Sequence, residues 1–318
     1  MTGSQPRTRS RGRFRALLGA VRGDLLTVVT AVVTFLTVSL ATVLWFRTAA
    51  WGALKGDLSA VAGTVIAVTP WDVILLQLVV GLVVGLGILL GVGLAAAGAG
   101  VEFTPTVLIV LSLASFQGVA FGGVALLYLR YRGVDLDYVG ARLPTGRELL
   151  FAVAGYVGAF GAVIVIGTIV GLLGVETGTN QAAELGRQSP ETLLLLVPAS
   201  FLLIGPGEEL LYRGVVQNRL RETFPPVPGI VLASAIFAAI HFVALTGGAS
   251  ARLVTVGILF FPSLVFGTLY ELTGNITVPA LVHGAYNATL FTLLYIALQY
   301  ADMAGETPTP GLLAAVGL

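Results

Sequence analysis

Eight long apolar stretches constrain the fold of this chain more than any other feature of its sequence. Each is long enough, at about 1.5 Å of helix per residue, to cross a hydrocarbon layer of about 30 Å. Only 10% of the residues are charged, whereas soluble domains carry about 25%. The sequence therefore predicts an all-α fold, a polytopic membrane helix bundle of about eight transmembrane helices. The predicted spans lie near residues 24–46, 73–98, 106–129, 149–175, 192–220, 228–246, 252–271 and 276–299.

Net charge and cysteine content exclude several classes of function. The 318 residues have a formal net charge of +1, so bulk charge gives no reason to expect a nucleic-acid partner. The chain has no cysteine, which excludes disulfides, thiolate catalysis and cysteine-ligated zinc or iron–sulfur sites. The expected environment is a lipid bilayer, most simply the cell membrane.

The distribution of polar residues divides the chain into four predicted regions. A basic N-terminal tail at 1–23 precedes accessory transmembrane helices at 24–175. A membrane core that carries buried charge follows at 190–300, and a C-terminal tail occupies 301–318.

The basic loops predict an orientation. Loops at 130–148 and 219–226 each carry arginines, and a count of eight spans places both loops on one side of the membrane. The positive-inside rule makes that side the cytoplasm. The same count puts the arginine-rich tail at 1–23 on the other side. An extra short crossing or re-entrant segment within 53–70 would remove this conflict.

The span at 192–220 contains a predicted helix break. Gly205-Pro206-Gly207 interrupts its apolar run just before Glu208 and Glu209. Proline removes a backbone hydrogen bond and kinks a helix. We therefore expect two half-helices, with both carboxylates at the N-terminus of the second, where the helix dipole favours negative charge.

Ionisable residues lie at membrane depth, where each costs roughly 2.5–3.5 kcal/mol on insertion scales. Glu208, Glu209 and Arg213 fall inside one apolar span, and the only two histidines, His241 and His283, fall inside later spans. Such groups escape lipid by contacting one another, so we expect a shared site. Glu209 and Arg213 are four residues apart and can pair on one helix face. Glu208 points to a different face and remains free for another contact.

Two further motifs supply complementary chemistry. Phe237-Ala-Ala-Ile-His241 and His283-Gly-Ala-Tyr-Asn287 each place their named residues one helical turn apart. Hydrolysis of a peptide bond needs a base that activates water and donors that stabilise an oxyanion. A glutamate and a histidine can hold and deprotonate a water, and a second histidine and an asparagine amide can donate to the oxyanion. The ring of Phe237 can pack against an imidazole.

Together these residues resemble the CPBP family, the CAAX proteases and bacteriocin-processing enzymes, which includes the type II CAAX prenyl endopeptidases. The family pattern is Glu-Glu-x-x-x-Arg, then Phe-x-x-x-His, then His-x-x-x-Asn/Asp, each on a membrane helix. All three occur here in that order, at 208–213, 237–241 and 283–287. The resemblance covers about 190–300 and implies a catalytic core there. The first four spans match only as apolar helices.

The resemblance implies a glutamate-dependent, metal-free intramembrane endopeptidase without a cofactor. Glu208 would act as general base together with His241, and His283 and Asn287 would form the oxyanion hole. Supporting residues would be Glu209, Arg213 and Phe237. The implied substrate is a membrane-associated protein or peptide, with or without a lipid group, reached from a site that faces the cytoplasm.

Two other classes of function remain open from the residues alone. Glu208, His241 and His283 could supply three zinc ligands, which would make the chain a zinc-dependent intramembrane metalloprotease. The chain has no His-Glu-x-x-His helix, and sensitivity to chelators would separate the two protease classes. A non-catalytic immunity or scaffold protein, or a transporter with a proton relay, is the third class. Transporters tend to have paired broken helices in repeated halves, and the sequence has one predicted break and no clear internal repeat.

Overall fold

Helices make up nearly all of the described structure. The computed structural model describes residues 71–304, and side chains are described from 83 to 300. All of these residues fall in one compact unit, Pro70–Leu318. The predicted tail at 1–23, the predicted span at 24–46 and the predicted short segment at 53–70 lie outside the described residues.

Eight helices follow one another along the described residues. They are α1 (Trp71–Gly98), α2 (Pro105–Tyr131), α3 (Gly146–Leu172), α4 (Gln181–Gln188), α5 (Glu191–Arg221), α6 (Pro226–Ile240), α7 (Ala249–Thr273) and α8 (Thr277–Ala304). Short 3₁₀ turns occur at Leu136–Val139 and His241–Ala244. Two short antiparallel strands, β1 (Thr179–Asn180) and β2 (Leu245–Thr246), pair Thr179 with Thr246.

Six of these helices are long and apolar enough to cross a membrane: α2, α3, α5, α6 with the turn that extends it to Ala244, α7, and α8 as far as Tyr300. Helix α1 is 28 residues long, and its portion Val83–Gly98 is also apolar. The predicted all-α membrane bundle is confirmed, and the chain is a multi-pass membrane protein. The last helix continues through Ala304, so it extends into the predicted C-terminal tail that begins at 301.

Local sequence explains where the helices begin and end. Thr145 caps α3 in a capping box, in which its side chain accepts from the Glu148 backbone and Glu148 accepts from the Thr145 backbone. Pro105 opens α2 at a position where no amide hydrogen is needed, and the Thr104 side chain caps that helix. Gly274 caps the end of α7, and its positive φ of 55° suits a residue without a Cβ.

The predicted break at residues 205–207 is wrong, because the chain stays helical there instead of forming two half-helices. Helix α5 continues from Glu191 to Arg221 without a non-helical gap. Two π-helical stretches, Ser200–Ile204 and Leu210–Gln217, flank a short α-helical segment at Gly205–Glu209. The amide of Gly205 donates to the Ser200 carbonyl, five residues back. This wider turn accommodates the Pro206 ring and its missing donor, so the helix need not separate into two halves.

The two basic loops, at 130–148 and 219–226, are predicted to lie on the same side of the membrane, and contacts between them agree with this prediction. Arg132 pairs with Glu222 at 3.5 Å, and Arg219 pairs with the same carboxylate. At this end the amide of Ile276 also donates to the carbonyl of Val139, at 3.2 Å. We call the end of the helices that carries these contacts the basic end. The paired strands β1 and β2 lie at the other end of the helices.

Buried apolar side chains form two clusters that meet at the charged residues. The first includes Leu193, Leu196, Phe266 and Leu294, and the second is built on Leu211, Tyr212, Val215 and Phe237. The guanidinium of Arg213 lies over the rings of Phe237 and Phe266, one from each cluster, at 4.8 and 5.7 Å. The site described next therefore lies at the junction of the two clusters.

Candidate active site

A buried ion pair lies at the base of the site. Nε of Arg213 is 3.1 Å from Oε2 of Glu209, one turn earlier on α5, and both side chains are fully buried. Nη2 of Arg213 donates to the carbonyl and to Oγ of Ser263 on α7, each at 2.9 Å. The expected pairing of Glu209 with Arg213 is thus present. Hydrogen bonds to a third group are what a buried ion pair needs to offset its desolvation.

The second oxygen of Glu209 reaches a histidine. Oε1 of Glu209 lies 2.8 Å from Nδ1 of His283 on α8. The ring of His283 stacks on Phe266 with centroids 4.7 Å apart and meets the edge of Phe237 at 5.7 Å. A carboxylate only accepts, so Nδ1 carries the hydrogen and Nε2 faces the remaining space. Arg213, Glu209 and His283 therefore form one continuous polar chain.

Glu208 has a different environment from its neighbour. Its side chain is 5% exposed, and Oε1 accepts a hydrogen bond of 2.8 Å from Nε2 of Gln117 on α2. Oε2 lies 3.7 Å from Nε2 of His283, too far for a hydrogen bond. Oε2 has no hydrogen-bond partner among the described residues. The structure thus brings Glu208 and His283 together and leaves one carboxylate oxygen open toward the ring.

His241 lies where α6 gives way to the 3₁₀ turn His241–Ala244, and it is half-buried. Its Nδ1 lies 2.7 Å from the carbonyl of Phe237, and the two rings pack with centroids 4.6 Å apart. Because the carbonyl can only accept, Nδ1 carries the hydrogen and Nε2 keeps a lone pair. Both histidines therefore contact the Phe237 ring. No hydrogen bond or ion pair joins His241 to Glu208 within residues 83–300.

Asn287 lies one helical turn beyond His283 on α8 and is half-buried. Its amide makes no hydrogen bond to another described side chain or backbone group. The spacing alone places it on the helix face that carries His283.

The glycines at 205–207 bring three helices together at the site. A Cβ on Gly205 would lie 2.6 Å from the Ala280 carbonyl of α8, and one on Gly207 would lie 2.5 Å from the Gln117 carbonyl of α2. On the opposite helix, a Cβ on Gly284 would lie 2.9 Å from the Ser200 carbonyl. Such distances leave no room for a side chain, so glycine sets how closely α2 and α8 approach Glu208 and Glu209.

Sequence reasoning missed Gln117. The span that carries it has no charge, and it was predicted only as an apolar helix. The available signal was a polar amide at the middle of an apolar span, which needs a partner at that depth. Nothing in the local sequence indicated that Glu208 would be the partner.

Metal ligands do not converge in the described part of the chain. No group of three or more His, Asp or Glu side chains there is placed to hold a metal ion. The described contacts of His241 are those with Phe237.

Comparison with known proteins identifies the segment that contains the site. Residues 190–289 match the family described as "Type II CAAX prenyl endopeptidase Rce1-like". The match covers about a third of the chain. The resemblance predicted from the three motifs is therefore confirmed, and all of them fall within the matched residues.

A curated relative gives no functional information. The uncharacterized protein YpbD of Bacillus subtilis (strain 168) is 35% identical over 112 residues. The match covers 34% of this chain and 48% of the relative, so the chain spans about half of the length of the relative it matches. No solved structure matches the chain significantly.

Proposed function

We propose that this chain is an intramembrane endopeptidase that hydrolyses a peptide bond of a membrane-associated protein or peptide. One observation carries the proposal. Glu208 and the buried chain formed by Arg213, Glu209 and His283 lie together within a segment that matches a membrane protease family. In this proposal residues 190–300 are the catalytic core, and the spans at 24–175 are accessory.

Glu208 acts as the general base. Its Oε2 is buried, has no described hydrogen-bond partner and faces the gap of 3.7 Å to the His283 ring. A water that binds beside Oε2 loses a proton to it as the water oxygen bonds to the substrate carbonyl carbon. His241 presents an unprotonated Nε2, because its Nδ1 is held by the Phe237 carbonyl. That lone pair accepts the second hydrogen of the water and fixes its orientation.

His283 and Asn287 stabilise the oxyanion that forms. The Asn287 amide donates directly, and His283 donates through Nε2 when that atom is protonated. The resulting ring is a cation hydrogen-bonded to the Glu209 carboxylate through Nδ1. When the C–N bond breaks, Glu208 returns its proton to the leaving amine. The products are one new carboxyl terminus and one new amino terminus, and Glu208 is again a carboxylate.

The chemistry requires no cofactor or metal, because a carboxylate activates the water. The described residues offer no three converging ligands that would favour the zinc mechanism. Glu209 and Arg213 support the site by holding His283, and Phe237 supports it by packing against both imidazoles.

The substrate class follows from the matched family and from the location of the site. Glu208 lies on α5 between the middle of the helix and the basic end. We place the basic end in the cytoplasm of a cell membrane, where positively charged loops are favoured. The substrate is then a membrane-associated chain that enters from the cytoplasmic side, and a lipid group would hold it there.

A reporter assay tests this function. Purified protein in liposomes is given a quenched peptide that ends in a farnesylated cysteine and three further residues, and the same peptide without the farnesyl group. We expect wild-type protein to release the last three residues of the farnesylated peptide and Glu208→Gln to release none. Equal cleavage of both peptides would contradict a requirement for the lipid. Cleavage of neither peptide by the wild type would contradict the CAAX-type assignment.

A further inference from the structure

Gln117 projects from an irregular part of a neighbouring helix. It lies in the π-helical stretch Leu113–Gly123, which interrupts α2 between two regular α-helical segments. A π-helical turn rotates the residues that follow it relative to a regular helix, and such turns are frequent at functional sites. This helix lies outside the matched residues 190–289.

The backbone of the same residue is held close to the motif helix. The carbonyl of Gln117 faces Gly207, where a Cβ would come within 2.5 Å. A Cβ on Gly122, further along the π-helical stretch, would lie 3.8 Å from the Gly207 Cα. The crossing of α2 and α5 is therefore a backbone contact, immediately before Glu208. Since backbone contacts leave little freedom to shift, the backbone of Gln117 is held close to Glu208, within reach of the hydrogen bond between their side chains.

The hydrogen bond has a defined direction. Nε2 of Gln117 donates to Oε1 of Glu208 at 2.8 Å, a length typical of a charge-assisted bond. The amide oxygen of Gln117 is buried and has no described partner. The opposite amide orientation would place two acceptors against each other, so the carboxylate selects the orientation seen.

We infer that Gln117 is a positioning residue that occupies Oε1 of Glu208 and thereby leaves Oε2 as the oxygen that takes the proton from water. The inference rests on the proposed role of Glu208 as general base. Oε2 is the oxygen that faces His283, at 3.7 Å from Nε2. A carboxylate held at one oxygen cannot turn away from the water, and the reaction depends on that orientation.

The structure offers a matched control in Gln217. It is also a glutamine in a π-helical stretch, although it is fully buried whereas Gln117 is half-buried. Its Nε2 donates to the Gly267 carbonyl at 3.0 Å, and its Oε1 has no described partner. The change Gln217→Met removes a comparable hydrogen bond without touching a carboxylate. The change Gln117→Met has a similar size and removes the donor to Glu208.

The experiment measures kcat and KM for the farnesylated reporter peptide in liposomes, together with the thermal unfolding midpoint of each variant. We expect Gln117→Met to lower kcat by about 10- to 100-fold, since a misplaced catalytic group costs up to roughly that factor. KM should stay within about twofold, because a positioning residue acts through Glu208 rather than through a contact with substrate. Gln217→Met should keep the wild-type kcat while its unfolding midpoint falls by as much as that of Gln117→Met.

The outcomes separate this inference from the proposed function. A wild-type kcat in Gln117→Met, or an equal loss of kcat in both glutamine variants, would overturn the inference while the proposed function stands. If Gln117→Met does not fold, Gln117→Asn is used in its place, because it keeps the amide on a shorter side chain. A wild-type kcat in Gln117→Asn would also overturn the inference. Identical sets of membrane-protein termini in cells that make wild-type protein and in cells that make Glu208→Gln would overturn both.

Discussion

Glu209 and His283 are joined by a hydrogen bond of 2.8 Å between the carboxylate Oε1 and the ring Nδ1. The other oxygen of the same carboxylate holds Arg213 at 3.1 Å. The two adjacent glutamates are therefore not equivalent. Glu209 binds His283 through one oxygen and pairs with Arg213 through the other, whereas Oε2 of Glu208 pairs with no arginine among the described residues and lies 3.7 Å from Nε2 of His283.

The first prediction follows from this difference. Glu209→Gln should reduce the amount of folded protein, because it leaves the buried guanidinium of Arg213 without its counter-charge, a loss of about 3–5 kcal/mol when a buried pair is broken. Thermal unfolding and size-exclusion profiles measure the effect. Glu208→Gln is the matched control, since Glu208 makes no ion pair with Arg213, and it should keep the wild-type profile. Equal loss of folded protein in both variants would contradict the distinction.

A second prediction concerns Phe237, whose ring packs against both imidazoles. Its centroid lies 4.6 Å from that of the His241 ring and 5.7 Å from that of the His283 ring. Phe237→Leu keeps an apolar side chain but removes the flat face on which these rings are oriented. We expect kcat for the reporter peptide to fall by roughly tenfold or more, as for other small misplacements of catalytic groups.

Phe160→Leu provides the control for this change. Phe160 packs on Tyr156 and Tyr286, at 5.0 and 4.9 Å, and has no described contact with either histidine. Its replacement should lower stability and leave kcat at the wild-type level. A similar fall in kcat for both leucine variants would show that the Phe237 effect is general core damage.

The third prediction tests the close approach of α2 to α5. Gly207→Ala adds a methyl group 2.5 Å from the Gln117 carbonyl, so the two backbones must separate. Both the unfolding midpoint and kcat should fall, because Gln117 moves away from Glu208 with its helix. Gly87→Ala is the control, since a Cβ there meets nothing within 4 Å, and alanine is favoured over glycine within helices. Wild-type activity in Gly207→Ala would contradict the packing argument.

Some features of the fold and of the site could be predicted from the sequence alone, and others could not. The membrane helices were predictable, because lipid forces long apolar runs into spans. The Glu209–Arg213 pair followed from helical spacing and from the energetic cost of burying charge. The hydrogen bond from Glu209 to His283 joins α5 to α8, so neither local spacing nor hydropathy contained it.

The incorrect prediction at residues 205–207 has a physical cause. Glycine and proline favour breaks when a helix is considered alone, but here a π-helical turn accommodates Pro206, and the two glycines serve contacts with α2 and α8. Those contacts depend on which helices pack together. The same reason hid Gln117, whose importance arises only from its position opposite Glu208.

A fourth prediction concerns metal dependence. Wild-type protein treated with a strong chelator should keep its activity on the reporter peptide, because Glu208 rather than a metal activates the water. Elemental analysis of the purified protein should find no stoichiometric zinc. Zinc near one per chain, together with loss of activity on its removal and recovery on its return, would favour the metalloprotease mechanism instead.

The proposed role of Glu208 in peptide hydrolysis can be tested without choosing a substrate. Membranes from cells that make wild-type protein, and from cells that make equal amounts of folded Glu208→Gln, are compared by mass spectrometry for newly formed peptide termini. We expect a set of new carboxyl termini on membrane-associated proteins that is present with the wild type and absent with Glu208→Gln. Identical sets of termini in the two samples would contradict it.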